Sequence, residues 1–108
     1  MPTGLDLSEL EAKADEVSGV MKALANPRRL LILCQLAEAG SASVNALAGA
    51  VGLSQSALSQ HLALMRDEGL VCFDRDGQTL NYRIADPRVG TLLDMLYTLY
   101  CAPAGDPH

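Results

Sequence analysis

The sequence lacks three features that mark whole classes of protein: a long apolar run, a basic charge balance and a cysteine pair at metal-binding spacing. Its apolar runs are only a few residues long, so we expect no membrane-spanning segment. The first residues carry neither the basic stretch nor the apolar core of a secretory signal, which predicts a cytoplasmic protein. The three cysteines are widely separated, fit no disulfide framework, and are expected to be thiols in a reducing compartment.

The chain has 108 residues, of which 49% are hydrophobic. This length and composition suit one packed domain, and they argue against both a two-lobed enzyme and a disordered segment. The sequence contains no internal repeat and no linker. We therefore expect a single domain over 1–108, with its core in 17–101 and a flexible tail over 102–108.

The net charge of −5 at pH 7 argues at first against nucleic-acid binding, because neutralising phosphates usually requires a basic surface. The distribution of charge weakens this objection. The stretch from Leu5 to Val17 holds five acidic residues against one lysine, whereas Val17 to Cys101 holds seven basic and seven acidic residues. An acidic helix at one end can thus coexist with a neutral DNA-facing surface, so DNA binding can be inferred only from the residue pattern.

Two helices are predicted in the first part of the chain. Apolar residues at alternating steps of three and four predict a helix over Leu7 to Leu24, whose apolar stripe is either core or a dimer interface. Asn26 is suited to cap a second helix, Arg28 to Ala39, with Pro27 at its start and Gly40 at its end. The residues expected to face inward from this second helix are Leu30, Leu31, Leu33, Cys34 and Leu36.

A short helix, a sharp turn and a longer helix follow. The short helix is predicted over Val44 to Ala50, with Ser41 or Ser43 as its cap. Gly52 allows the bend, and Ser54 caps a helix that is expected to extend to Glu68. This spacing is typical of a helix-turn-helix.

The second half of the chain predicts a β-hairpin and a closing helix. Two runs with strand character, Gly69 to Phe73 and Leu80 to Ile84, flank Asp76-Gly77, a dipeptide typical of hairpin turns. Asp86-Pro87 is expected to start a last helix that ends near Cys101. Four helices, a two-stranded ribbon and a fifth helix make a winged helix-turn-helix, a mainly α fold with a β-hairpin wing.

The helix after the turn presents neutral polar side chains that suit the reading of DNA. Gln side chains fit the adenine edge, and Ser hydroxyls fit base edges or phosphates. A solvated polar face is the alternative, and for His61 so is packing at the border of the apolar stripe. In the wing, Arg83 either reaches a phosphate or pairs with Asp67 or Asp74. The predicted DNA contacts are Ser54, Gln55, Ser56, Ser59, Gln60, His61, Arg75, Gln78, Thr79 and Arg83.

A winged domain of this size covers about one half-site. Specific binding to double-stranded DNA therefore implies a two-fold dimer on a palindromic operator. The first and last helices carry more apolar surface than a core of this size needs. We expect a homodimer whose interface is formed by these N- and C-terminal helices.

The sequence resembles the ArsR/SmtB family of winged-helix repressors over roughly residues 17–101. Three stretches carry the resemblance: Ala23 to Leu30, Leu53 to Leu62, and Gly69-Leu70-Val71 with Tyr82-Arg83-Ile84. The metalloid sensors of the family carry Cys-Val-Cys in the third helix, where this chain has no thiol. Its zinc sensors carry Asp and His pairs on the last helix, where this chain has Asp94 and no His. We predict neither of the usual metal sites and no cofactor.

Two of the cysteines resemble the pair in the dithiol sensors of this family, those of the SqrR, BigR and HlyU type. In those proteins two such cysteines join through a disulfide or polysulfide bridge. Without the resemblance, Cys34 and Cys101 would more often be inert packing residues. The resemblance implies that they sense a persulfide or an oxidant and that the bridge releases the operator. Cys72 has no partner in this pattern and is expected to be a bystander.

Three other functions stay open at this point. A sensor of a thiophilic metal or metalloid would use Cys34 and Cys101, with or without Cys72, as soft ligands. A thiol enzyme with Cys34 as nucleophile would lack a Cys-x-x-Cys motif, a Gly-rich phosphate loop and more than one interior histidine. A dimerisation module that no longer binds DNA would suit the acidic balance. We predict a regulator and not an enzyme.

Overall fold

The computed structural model describes residues 6–101. Within this range, helices and one small sheet follow one another in the order of a winged helix-turn-helix, as predicted. The flexible tail expected over 102–108 lies outside the described residues. The elements are α1 (Leu7–Leu24), α2 (Pro27–Ala39), β1 (Ala42–Ser43), α3 (Val44–Val51), α4 (Gln55–Asp67), β2 (Val71–Asp76), β3 (Thr79–Ile84) and α5 (Pro87–Cys101).

The junction between α1 and α2 follows from two adjacent residues. The side-chain oxygen of Asn26 accepts hydrogen bonds from the backbone N–H groups of Arg28 and Arg29, at 2.9 and 3.3 Å. Pro27 occupies the first helical position, where its missing N–H costs nothing. The predicted cap and start are therefore both confirmed.

The helix-turn-helix is formed by α3, α4 and the turn between them. Ser43, and not Ser41, caps α3, with its hydroxyl accepting from the backbone N–H of Ala46 at 3.2 Å. Gly52 ends α3 in the left-handed region, at φ +70°, where a residue with a Cβ would be strained. The Ser54 hydroxyl caps α4 by accepting from the backbone N–H of Ala57 at 3.1 Å.

The sheet has three antiparallel strands in the order β1-β3-β2. The two-stranded wing predicted from the sequence was therefore incomplete. β1 pairs Ala42 with Tyr82 and Ser43 with Asn81, and a strand of two residues is too short to leave a period-two pattern. Its pairing with β3 adds a third strand to the sheet, on the side of β3 opposite β2.

The hairpin turn differs by one position from the prediction. Asp76 pairs with Thr79, so the two loop residues are Gly77 and Gln78 and not Asp76-Gly77. Gly77 has φ +63°, and a glycine at the first loop position is typical of a type II′ turn. β2 accordingly extends to Asp76, beyond its predicted end at Phe73.

The core lies between α2, α3, α4, α5 and the inner face of the sheet. The prediction for α2 was wrong at two positions, because Leu31 and Cys34 are exposed and Ile32 is fully buried instead. Apolar residues surround most of α2, so the sequence period alone does not select the buried face. The buried hydrophobic residues are Ala23, Leu24, Ile32, Leu33, Leu36, Leu47, Leu58, Leu62, Met65, Leu70, Val71, Tyr82, Val89 and Leu93.

The apolar stripe of α1 joins the core only at its end, where Leu24 is buried. Leu10, Val17 and Met21 are all exposed, and so are Leu99 and Tyr100 near the end of α5. At its other end α5 is held to α1 by Arg88, whose guanidinium lies 2.8 Å from the carboxylate of Glu16. In the part of the chain that the structure describes, no helix is long and apolar enough to cross a membrane.

Candidate nucleic-acid interface and thiol pair

The N-terminal half of α4 divides its residues cleanly between core and solvent. Leu58 and Leu62 are fully buried, as is Met65 one turn later. The predicted reading residues of the opposite face, Gln55, Ser56, Ser59 and Gln60, are all exposed. This face therefore presents neutral hydrogen-bonding groups to solvent and makes no contribution to the core.

A polar cleft joins the start of α4 to the tip of the wing. Gln55 and Ser59 line it from α4, and Gln78 and Thr79 line it from the turn and the start of β3. Asn45 lines it from α3, and its side-chain oxygen accepts a hydrogen bond from the Gln55 amide. The fold thus brings both groups of predicted contacts to one surface.

Asn45 is a residue of this surface that sequence reasoning missed. It lies near the start of α3, one helix before the residues that it contacts. No local rule links an Asn at this position to a Gln in the next helix. Only the angle between α3 and α4 brings the two amides together.

His61 lies half-buried at the edge of the α4 face that packs on the core. Its neighbour Leu62 is fully buried, and Gln60 on its other side is exposed. This position suits the packing alternative better than direct contact with a base.

The wing carries one arginine that is paired and one that is not. Arg83 donates from Nε to the Asp74 carboxylate at 3.0 Å, which is the pairing considered as the alternative to a phosphate contact. This hydrogen bond and the charge of the nearby Cys72 thiolate raise the pKa of Arg83. Arg75, next to the exposed turn, forms no ion pair with any residue in the described range 6–101. Arg75 is therefore the wing cation that is free to meet a phosphate.

A second contact ties α4 to the wing. The guanidinium carbon of Arg66, in the last turn of α4, lies 5.3 Å from the centre of the Phe73 ring. That ring packs against Tyr82 on the neighbouring strand, with centroids 5.4 Å apart. Cation–π and aromatic contacts of this kind orient the wing relative to the helix.

Cys34 and Cys101 lie on two helices that pack against each other, α2 and α5. Both are free thiols and both are exposed. Burial of the Cys34 sulfur raises its pKa, and the charge of the Cys101 thiolate raises it further. Within one subunit, the two cysteines therefore lie on neighbouring helices with both thiols exposed.

A groove runs beside Cys34, between α2 and α5. From α2 it is lined by Cys34, Ala37 and Glu38. From α5 it is lined by Leu93, Asp94, Tyr97 and Thr98. Of the three cysteines only Cys34 lines this groove, and Cys72 is half-buried on β2 opposite Arg83. Among residues 6–101, no group of three or more His, Cys, Asp or Glu side chains could hold a metal ion.

Comparison with known sequences finds regulators of transcription. The family model described as "Bacterial regulatory protein, arsR family" matches residues 26–72, which extend from the cap of α2 into β2. The HTH-type transcriptional regulator YgaV of Escherichia coli is 43% identical over 96 residues, covering 89% of this chain and 97% of that protein. The transcriptional activator HlyU of Vibrio cholerae is 41% identical over 97 residues, covering 90% and 89%.

Solved structures of related proteins have the same fold. The transcriptional repressor BigR from Xylella fastidiosa superposes with a TM-score of 0.83 at 34% identity, covering 92% of this chain and all of that one. The antimony-specific transcriptional repressor AntR superposes with a TM-score of 0.80 at 37% identity, covering 90% of this chain and 86% of that one.

Proposed function

The chain belongs to the ArsR family of bacterial regulatory proteins, and on this basis we propose that it is a homodimeric repressor that senses a persulfide or an oxidant through Cys34 and Cys101. Membership makes it a DNA-binding regulator of transcription, which confirms the prediction of a regulator and not an enzyme. The proposal of repression is supported by the structures of two proteins named as repressors, BigR and AntR, which superpose on this chain.

In the proposed complex, α4 lies in the major groove and the wing lies along the backbone. The exposed amides and hydroxyls at the start of α4 support direct reading of base edges. The unpaired guanidinium of Arg75 supports a phosphate contact from the wing. Arg83 contributes less in this arrangement, because its charge is already shared with Asp74.

The proposed homodimer buries the apolar faces of α1 and α5. Met95 is 54% exposed, Leu99 66% and Tyr100 82%, and such a cluster is unusual on a protein that works as a monomer. Leu10 and Met21 offer a matching surface on α1. A two-fold dimer through these helices presents two α4 helices to the two halves of a palindromic operator.

The placement of Cys34 and Cys101 on two helices that pack against each other is the single observation that carries the proposal of a thiol switch. The charge of the Cys101 thiolate also raises the pKa of Cys34, and both side chains are exposed to a reagent. Cys72 has no comparable partner.

The proposed reaction with a persulfide donor, R–S–SH, needs no other oxidant. One thiolate of the pair attacks the outer sulfur, which leaves a cysteine persulfide and releases the thiol R–SH. The second thiolate then attacks the cysteine sulfur, forms the Cys34–Cys101 disulfide and releases hydrogen sulfide. When both cysteines are persulfidated first, the same displacement gives a trisulfide and one hydrogen sulfide.

Bridge formation would act on DNA binding through α2. This helix packs against α3 of the helix-turn-helix on one side and against α5 on the other. A covalent link between α2 and α5 would fix the reading surface relative to the dimer interface. A coupling free energy of about 1 to 3 kcal/mol is enough to lower operator affinity by about 5- to 150-fold.

The test is peptide mass spectrometry of the reduced protein after separate treatment with a persulfide donor, glutathione disulfide and peroxide. We expect a Cys34–Cys101 crosslink with the persulfide donor, unchanged in the matched control Cys72→Ser and absent in Cys34→Ser. A plain disulfide with every oxidant would identify a general redox switch instead. No crosslink with any reagent would contradict the thiol switch.

A second candidate is a sensor of a trivalent metalloid that uses the same two thiols. The likeness to AntR, which is named as antimony-specific, favours it. Soft thiolates are suitable ligands for such an ion. Antimonite treatment followed by native mass spectrometry distinguishes this sensor from a persulfide sensor. Antimony bound to the reduced wild-type protein, but not to Cys34→Ser or to the persulfide-bridged protein, would support a metalloid sensor.

A further inference from the structure

The groove beside Cys34 carries a charge pattern that bears on which sulfur donors can reach this thiol. Glu38 follows Cys34 by one helical turn, so their Cβ atoms are about 5 to 6 Å apart on the same face of α2. Asp94 lines the groove from α5, on the stripe that Tyr97 and Cys101 continue at steps of three and four. A carboxylate therefore borders the groove of Cys34 from each of the two helices.

Neither carboxylate is neutralised by a neighbouring cation. Glu38 and Asp94 form no ion pair with any residue described between 6 and 101. The residues that line this groove include neither Lys nor Arg. Its remaining walls are Ala37 and Leu93, with the Tyr97 ring at the side, so the rest of the surface is apolar or neutral. An approaching anion meets two like charges and finds no compensating positive one.

We propose that Glu38 and Asp94 make this groove selective for uncharged or positively charged small sulfur donors, against anionic ones. The inference rests on the proposed function of Cys34 and Cys101 as a sulfur-sensing pair. Glutathione persulfide and glutathione disulfide are both net anions at neutral pH and are disfavoured. The persulfide of an aminothiol such as cysteamine, whose ammonium group offsets the charge of the ionised persulfide, is favoured.

Selection by charge acts on the rate of the first displacement. Clefts lined by charge of one sign change the rates of charged reactants by about tenfold or more at low ionic strength. The Debye length falls to about 3 Å in 1 M salt, so the selection should nearly vanish there. A change in the thiolate fraction of Cys34 alters the rates of all reagents equally and cancels in a ratio of rates.

The experiment compares two reagents of similar size and opposite charge. In Cys72→Ser/Cys101→Ser protein, the Cys34 thiolate attacks the sulfenyl sulfur of 2-aminoethyl or 2-sulfonatoethyl methanethiosulfonate. A mixed disulfide forms, and methanesulfinate leaves. The ratio of the cationic to the anionic rate is divided by the same ratio for 2-mercaptoethanol in the same buffer, which removes the intrinsic reactivity of the reagents.

We expect this normalised ratio to be about tenfold or more at low salt and to approach one in 1 M salt. Glu38→Gln/Asp94→Asn, added to the same background, should remove most of it. Glu9→Gln/Glu11→Gln is the matched control, because it removes the same two charges from exposed positions on α1 and should leave the ratio unchanged.

A normalised ratio near one at low salt would contradict the charge selectivity. An equal fall of the ratio in the α1 control would also contradict it, because the ratio would then depend on the net charge of the protein and not on the groove. When a groove variant does not fold, the salt dependence of the normalised ratio in the Cys72→Ser/Cys101→Ser protein still tests the proposal. The unmodified protein is treated with the persulfide donor in parallel. A crosslink in that sample together with a ratio of one would contradict only the charge selection. The absence of a crosslink would contradict the proposed thiol switch itself.

Discussion

The Cys34 thiol combines accessibility with a pKa that works against its reactivity. Its side chain is exposed, yet burial of the sulfur against α5 and the nearby Cys101 thiolate both raise its pKa. Since the thiolate is the nucleophile, a raised pKa leaves less of the reactive form at neutral pH.

Removing the second thiol should make Cys34 more acidic. In Cys101→Ser the charge that disfavours the Cys34 thiolate is lost, while burial by α5 remains, so the pKa of Cys34 falls part of the way toward its ordinary value. The pH dependence of alkylation by iodoacetamide, followed at the Cys34 peptide by mass spectrometry, measures this change. Cys72→Ser serves as the control and should leave the profile unmoved. A profile that is the same in Cys101→Ser and wild type would show that the two thiols are not coupled.

At the scale of the elements, the start of α4 depends on one hydroxyl. Ser54 satisfies the backbone N–H of Ala57 and sits at the end of the helix that points toward DNA in the proposed complex. Capping and DNA binding can be separated by two substitutions at this position. Alanine removes the cap, and aspartate keeps it but adds a negative charge.

Ser54→Ala should lower the free energy of unfolding by about 1 kcal/mol. Thermal unfolding, compared at equal protomer concentration, should show a fall in midpoint of about 4 to 8 °C. Ser54→Asp should unfold close to the wild-type temperature, because Asp caps helices as well as Ser does, and should bind DNA more weakly through repulsion of phosphates. Equal destabilisation by both substitutions would contradict a capping role.

The elements that could be predicted from the sequence are those governed by residues a few positions apart. The helix ends at Asn26-Pro27 and at Gly52 and Ser54 depend on contacts within one turn. The sequence predicts these helix ends correctly. β1 was missed because only its pairing with β3, far along the chain, makes it a strand. The predicted turn lies one residue too early, because Asp76 pairs with Thr79 in the sheet and leaves Gly77 at the first loop position.

The candidate site divides in the same way. The exposure of the α4 reading face follows from helical period, and was predicted. The pairing of Cys34 with Cys101 is implied by family resemblance alone, since their spacing in the sequence does not show that α2 and α5 pack together. Cys34 was expected to face inward because the apolar pattern of α2 surrounds most of the helix. Asn45, Glu38 and Asp94 acquire their roles only from the packing of one helix on another.

At the scale of the whole molecule, the described subunit leaves apolar surface on its first and last helices. Met95 and Met21 are each about half exposed, on α5 and α1. The acidic residues of α1 belong to a different element from the reading face on α4. An overall negative charge is therefore compatible with DNA binding at α4 and association at α1 and α5.

Met95→Glu should shift the protein from dimer toward monomer, because burying an unpaired carboxylate in an apolar interface is costly. Leu64→Glu is the matched control: Leu64 is 50% exposed against 54% for Met95, and it lies on α4, outside the proposed interface. Sedimentation velocity over a range of protein concentrations measures the association constant. Equal weakening by both substitutions, or by neither, would contradict an interface through α5.

Operator affinity in the two states of the thiol pair is the most direct measure of the switch. A palindromic fragment selected with the reduced protein is labelled, and fluorescence anisotropy at fixed salt gives its affinity before and after treatment with a persulfide donor. A loss of about 5- to 150-fold is expected in wild type and in Cys72→Ser, reversed by reductant and absent in Cys34→Ser. Affinity that stays unchanged while mass spectrometry shows the Cys34–Cys101 bridge fully formed would contradict a regulator controlled by these two thiols.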